Sequence, residues 1–219
     1  NIEITNLSFG YDDGNIFKNL NFSYDSRDFF AIIGPNGGGK STLLKLMLGI
    51  LEPQSGKISI DSKPPKLAKE LIGYVPQYIP VNKTFPMSVL EVVLMGRLRS
   101  GLFKFYSKAD KNMAMQALEM VGMQDFSTRG IGALSGGQRQ RVYIARALVS
   151  GARILMLDVP TASIDTQGQA QIYSALKEIN QANVGVIAIS HDINMAMNFA
   201  TKVAYVNSGS VVLHDISNL

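Results

Sequence analysis

The stretch Gly34-Pro35-Asn36-Gly37-Gly38-Gly39-Lys40-Ser41-Thr42 constrains this chain more than any other. An apolar run, Phe29-Phe30-Ala31-Ile32-Ile33, leads into it, and the helix-like Leu43-Leu44-Lys45-Leu46-Met47-Leu48 leaves it. A strand, then G-x-x-x-x-G-K-[ST], then a helix is the setting of a loop that cradles phosphates. Glycines leave no Cβ in the way, so backbone N–H groups can turn toward phosphate oxygens and φ can become positive. The partial positive charge at the start of the following helix adds to the attraction. In such a loop Lys40 reaches the β- and γ-phosphates and the Ser41 hydroxyl ligates Mg2+.

A chain of 219 residues can build one substantial core, or a core that carries an inserted subdomain. No apolar run approaches the roughly 18 residues that span a bilayer, and no signal-peptide pattern opens the sequence. Cysteine is absent, which excludes disulfides and thiolate sites and fits a reducing cytosol. The net charge of +4 suits an anionic ligand. Its basic residues are spread along the chain without a dense run or interleaved aromatics, so no nucleic-acid partner is expected. The only histidines, His191 and His214, stand far apart, which leaves no metal-ligating cluster.

Polar and apolar residues alternate from Ile2 to Phe9 and again from Phe17 to Tyr24, and Gly56-Lys57-Ile58-Ser59-Ile60-Asp61 reads as a further short strand. The connections are too short for crossover helices, so these strands are expected to be antiparallel. Ile154-Leu155-Met156-Leu157 and Val184-Gly185-Val186-Ile187-Ala188-Ile189 are nearly continuous apolar runs, as in a parallel sheet covered on both faces. Between the two halves lies a helical stretch. Ser88-Val89-Leu90-Glu91 offers a capping box for a helix through Met95. Met113, Ala117, Met120 and Val121 mark one face of a second helix, and a third runs from near Gly137 to Val149. The expected fold is α/β: a P-loop core with a mainly parallel sheet, an N-terminal antiparallel β subdomain and an inserted α-helical subdomain. The whole chain, 1–219, reads as a single domain, with core at 1–85 and 151–219 and the helical insert at about 86–150.

Two further features belong with the phosphate loop. Asp158 closes an apolar strand, where a carboxylate can face Mg2+ beside the loop, the strand being expected to lie next to the one that feeds residues 34–42. Read alone, such an aspartate is more often a turn or cap residue. Leu134-Ser135-Gly136-Gly137-Gln138 is a second candidate anion site, a Ser-Gly-Gly turn leading into a helix. One phosphate loop already surrounds one nucleotide, so Ser135 either only caps its helix or caps the nucleotide of another copy.

Taken in order, these markers resemble the ATP-binding subunits of ABC transporters, over essentially the whole chain. Tyr11 stands where that family has an aromatic stacked on adenine. Residues 34–42 match the Walker A loop, Gln77 the Q-loop glutamine, and Leu134 to Gln138 the LSGGQ signature. Ile154 to Asp158 match Walker B, Ser163-Ile164-Asp165 resemble the D-loop, and His191 matches the switch histidine. The resemblance implies ATP and Mg2+ as ligands, the metal held by Ser41, Gln77 and Asp158. It also implies a head-to-tail homodimer, in which Walker A of one copy and Ser135, Gly136, Gly137 and Gln138 of the other enclose each ATP. Two transmembrane permease subunits, and indirectly an extracytoplasmic substrate-binding protein, would be its partners at the cytoplasmic face of the membrane. Gly73 to Gln77 and Val92 to Arg97 are similar to subunits of the zinc and manganese uptake group, with iron-chelate or cobalamin uptake as the alternative.

One position departs from the family's pattern. The glutamate that polarises the attacking water is replaced by Val159, which can neither accept a proton nor orient water by hydrogen bonding. General-base assistance is worth about 10²–10⁴-fold, so a hydrolysis-impaired, ATP-trapping form is expected, or a non-hydrolysing ATP-gated switch. Valine at a strand end is otherwise expected to be structurally ordinary.

Overall fold

A computed structural model describes the chain except at residues 13, 26, 80–85, 98–105, 163, 208 and 217–219 and at the side chain of Met195. Ser163 of the D-loop stretch therefore lies outside the described residues, as does Asp13 of the first turn.

β1 (Ile2–Tyr11), β2 (Gly14–Tyr24) and β4 (Ser55–Ile60) form a three-stranded antiparallel sheet in the order β2-β1-β4. The inward set on β1 begins with Ile2 and Ile4 and then changes parity to Leu7 and Phe9. Strict alternation would turn Leu7 and Phe9 to solvent; the register shift after Ile4, with Asn6 at φ +48, returns them to the core.

The second sheet has six strands in the order β5-β6-β7-β3-β8-β9. These are β3 (Phe29–Ile33), β5 (Ile72–Val75), β6 (Ile154–Leu157), β7 (Gly185–Ile189), β8 (Lys202–Asn207) and β9 (Ser210–Asp215). All pairs are parallel except β8 with β9. Every residue of β3, β6 and β7 is buried, the reason their sequences show no alternation. Successive side chains still go to opposite faces. Phe30, Ile32, Ile154, Met156 and Ile187 pack with α1 (Lys40–Met47) and the small sheet, forming one core.

Leu155, Leu157, Val186 and Ala188 face the other way, toward α2 (Val89–Leu94), α3 (Lys108–Met120), α4 (Gly136–Leu148) and α5 (Thr166–Gln181). Ala31 and Ile33 meet α6 (Ile193–Phe199) through Ala196. Each of α2, α3 and α4 starts at a serine in a reciprocal capping box: Ser88 with Glu91, Ser107 with Asp110, Ser135 with Gln138. Among the described residues no helix is long and apolar enough to cross a membrane.

The fold corrects two expectations. Met113 is exposed; the buried residues of α3 are Asp110, Ala114, Ala117 and Leu118, a stripe at helical spacing that continues into Val121 and leaves 113 outside it. The strand carrying Asp158 is not beside the strand that feeds residues 34–42. β7 lies between them, because each right-handed crossover deposits its strand where a helix can cover the sheet.

Candidate functional site

The parallel strands point the same way, so the segments leaving β3, β5, β6 and β7 gather at one edge of the sheet. Those segments hold residues 34–39, Gln77, Asp158 and the Ser190-His191 turn. From β3 the chain passes to β5 on one side and later, after β6 and β7, to β8 on the other; the crevice at the carboxyl ends of such parallel strands is the usual place for a ligand.

The loop after β3 is shaped by close packing. Gly34 has φ +143, and a Cβ there would stand 2.0 Å from the Val206 carbonyl oxygen. Gly39 caps α1 at φ +104, where a Cβ would press on Ile16 at 2.9 Å. Only glycine meets both demands. Gly38 is buried and donates its amide to the Pro35 carbonyl at 3.2 Å, while Pro35, Asn36 and Gly37 are exposed and Thr42 is half-buried. Lys40 is buried, its Nζ donating to the carbonyls of Gly34 at 2.9 Å and Pro35 at 2.8 Å. Burial pushes its pKa down and the negative charge of Asp158 partly offsets this.

Ser41 Oγ donates to Asp158 Oδ1 at 3.2 Å across 117 residues of sequence, so the missing adjacency of their strands does not keep them apart. The Asp158 amide is itself fixed to the Val75 carbonyl at 3.0 Å. A hydroxyl and a single carboxylate oxygen are hard donors, the set that Mg2+ takes when phosphate and water complete its shell. Gln77 lies two residues beyond Val75 and is exposed; Ser41 and Asp158 are the pair brought together. Tyr11 ends β1, 47% exposed, with its ring edge-on to Phe9 at 5.1 Å. The β1–β2 hairpin carries Ile16 and Phe17, which touch Gly39, so Tyr11 belongs to the same neighbourhood.

Val159 is not structurally ordinary. It is buried and its φ is +47, a left-handed conformation that a β-branched side chain rarely adopts. The geometry is imposed from both sides: the Asp158 amide is tied to β5, and the Ala162 amide bonds the Val159 carbonyl at 3.2 Å. Val159, Thr161, Gln169, the exposed His191 and Asp192 line a cavity of about 450 Å³.

The second anion site lies elsewhere. Ser135 Oγ accepts from the Gln138 amide at 3.2 Å, and Gln138 Oε1 accepts from the Ser135 amide at 2.9 Å. Asp165 caps α5 in the same way, accepting from the Gly168 amide at 2.8 Å. Both helix starts, with Gly136 and Gly137, open onto one cavity of about 520 Å³, none of whose lining residues belongs to 34–42 or is Asp158.

Sequence reasoning missed two features. Arg141 lines the same cavity, donates to the Val121 carbonyl at 3.2 Å and has a buried Nε without an acceptor among the described residues. Tyr173, which reads from sequence only as core, donates its hydroxyl to Ser190 Oγ at 2.8 Å. A buried tyrosine normally has a partner for its hydroxyl, the one signal that could have flagged this second feature.

The sequence profile of a family described as "ABC transporter" matches residues 17–162. The manganese transport system ATP-binding protein MntB of Bacillus subtilis is 42% identical over 90% of this chain and 80% of its own length. The zinc uptake system ATP-binding protein ZurA of Listeria innocua is 39% identical over 94% of this chain and 82% of its own. Among solved structures, the dimeric post-hydrolysis state of the ATP-binding cassette MJ0796, bound to ADP and Pi, superposes with a TM-score of 0.81. Its identity is 26% and all of both chains is covered. With a P-loop gathered to a strand-end carboxylate and a profile that spans most of the sequence, this chain belongs to the ABC transporter family, as one of its ATP-binding subunits.

Proposed function

We propose that this chain is the motor subunit of a metal-ion importer for manganese or zinc, converting ATP binding at residues 34–42 into closure against a second copy of itself. The observation that carries the reading is the Ser41–Asp158 contact, which unites two motifs that lie far apart in sequence. The metal assignment rests on the names of MntB and ZurA. Two permease subunits would place the chain at the cytoplasmic face of the membrane, with an extracytoplasmic substrate-binding protein delivering cargo to them.

Lys40 lies over the loop and exchanges its two carbonyl acceptors for phosphate oxygens when ATP enters. Ser41 and Asp158 would hold Mg2+, with Gln77 as a further ligand from the loop after β5. When bound, the ion neutralises charge on the phosphates. Tyr11 stacks on the adenine, and His191 contacts the γ-phosphate. Ser135, Gly136, Gly137 and Gln138 take up the nucleotide of the facing copy, and Asp165 relays between the copies. Closure of the two copies, whose cores (1–85, 151–219) hold the nucleotides, would draw together their helical inserts (about 86–150), which grip the permeases. Val159 leaves the attacking water without a base, and this favours a second reading in which the chain is an ATP-gated clamp with little turnover.

The test is size-exclusion chromatography with light scattering, with and without Mg·ATP. The unmodified chain should dimerise in ATP. Ser135→Arg should remain monomeric while binding a fluorescent ATP analogue unchanged, because the added bulk and charge sit against Arg139 and Arg141. A persistent ATP-dependent dimer of Ser135→Arg overturns the head-to-tail arrangement.

A further inference from the structure

Helix α5 carries a buried hydroxyl, on Tyr173, to which nucleotide binding gives no role. Its ring is held between Phe29 at 6.5 Å and Phe199 at 5.5 Å, both nearly parallel to it. Stacking alone would be served equally by phenylalanine. The hydroxyl instead reaches Ser190 Oγ at 2.8 Å, and Ser190 is buried as well. Ser190 Oγ also donates to the Asp192 carbonyl at 2.9 Å and accepts from the Asp192 amide at 3.1 Å. The backbone amide of Ser190 is fixed to the Ile32 carbonyl of β3 at 3.0 Å.

A hydroxyl has one proton to give. Ser190 gives its proton to the Asp192 carbonyl, so Tyr173 donates to Ser190. The donors run in one direction, from Tyr173 through Ser190 to the backbone of Asp192. Such a chain strengthens cooperatively in a buried setting. Burial raises the phenol pKa above its ordinary value, so Tyr173 keeps its proton at neutral pH. The turn that Ser190 fixes borders a cavity shared with the loop after Val159: His191 and Asp192 line it together with Val159 and Thr161.

We propose that Tyr173 is a positioning residue, whose hydroxyl anchors the His191 turn to α5 through Ser190. Its consequence for nucleotide sensing rests on the reading that His191 contacts the γ-phosphate. The geometric coupling does not.

With only two histidines in the sequence, [13Cε1]histidine labelling gives one reporter at the turn and one control, His214, on β9. The resonances are assigned with His214→Gln. In Tyr173→Phe the His191 signal should shift or broaden while His214 stays in place. Ser190→Ala should produce the same change, and the double variant should add nothing to it. Ser190→Ala lies outside the aromatic stack, so the coupling is testable even if Tyr173→Phe folds poorly. An unmoved His191 in the well-folded variants overturns the proposal, and so does a joint movement of both histidines, which would mean general loosening. Mg·ATP is then added to the unmodified chain. If it leaves the His191 signal where it was, the γ-phosphate reading of His191 is lost, whereas the nucleotide-free comparison still decides the coupling.

Discussion

The two candidate anion sites are built in opposite ways. The one around Lys40 depends on backbone conformations unfavourable to ordinary residues: φ is +143, +78 and +104 at Gly34, Gly37 and Gly39, and +47 at Val159. The one around Ser135 uses two ordinary caps, with Ser135 at φ −65 and Asp165 at φ −64. Each cap closes within three residues, so local sequence suffices to form it. The first site is held instead by distant parts of the chain: the Val206 carbonyl against Gly34, Ile16 against Gly39, Asp158 against Ser41. The first gathers distant segments around Lys40 and Ser41, whereas the second presents finished helix ends to a cavity that residues 34–42 and Asp158 do not line.

This contrast can be broken most decisively at its strained end. Val159→Glu supplies the missing proton acceptor and should raise steady-state ATP hydrolysis by about 10²–10⁴-fold, measured as phosphate release. An unmodified chain that already turns over as fast as Val159→Glu would show that position 159 does not limit the reaction. Next in size, Lys40→Ala removes the buried cation of the converged site. Charge-assisted bonds to phosphate are worth about 1.5–3 kcal/mol, so ATP affinity should fall by about 10–100-fold in an equilibrium titration. The Ser135 half should be indifferent to that change, so its capping box, the Asp165 cap and the far-ultraviolet helix signal should persist. The smallest effect concerns the strain itself. Val159→Gly and Val186→Gly both delete a buried isopropyl group, but only the first relieves a left-handed β-branched residue. Urea unfolding should find Val159→Gly less costly by about 1–2 kcal/mol. Equal costs would mean that the backbone at 159 is relaxed.

Legibility in the sequence divides along the same line. The capping boxes at Ser88 and Ser135 are legible because cap and partner stand three residues apart. The strands of the second half are legible because burial on both faces leaves a continuous apolar run. Met113 misleads, because periodicity alone does not say whether small alanines or a long methionine face the neighbouring helix. Tyr173 reads as core, correctly for its ring, but the partner of its hydroxyl lies 17 residues away on another element.

The sequence by itself determined that a P-loop pattern follows a strand, that a carboxylate ends an apolar strand, and that a second helix start carries a serine and two glycines. Each of these is a property of a few consecutive residues and their local hydrogen bonds. Only the tertiary structure decided that β7 separates β6 from β3 and that Ser41 nonetheless meets Asp158. It alone placed Val159 in a left-handed conformation and kept Ser135 in a cavity apart from Lys40. Strand order and imposed backbone geometry arise from packing between segments far apart in the chain, and no local pattern encodes them.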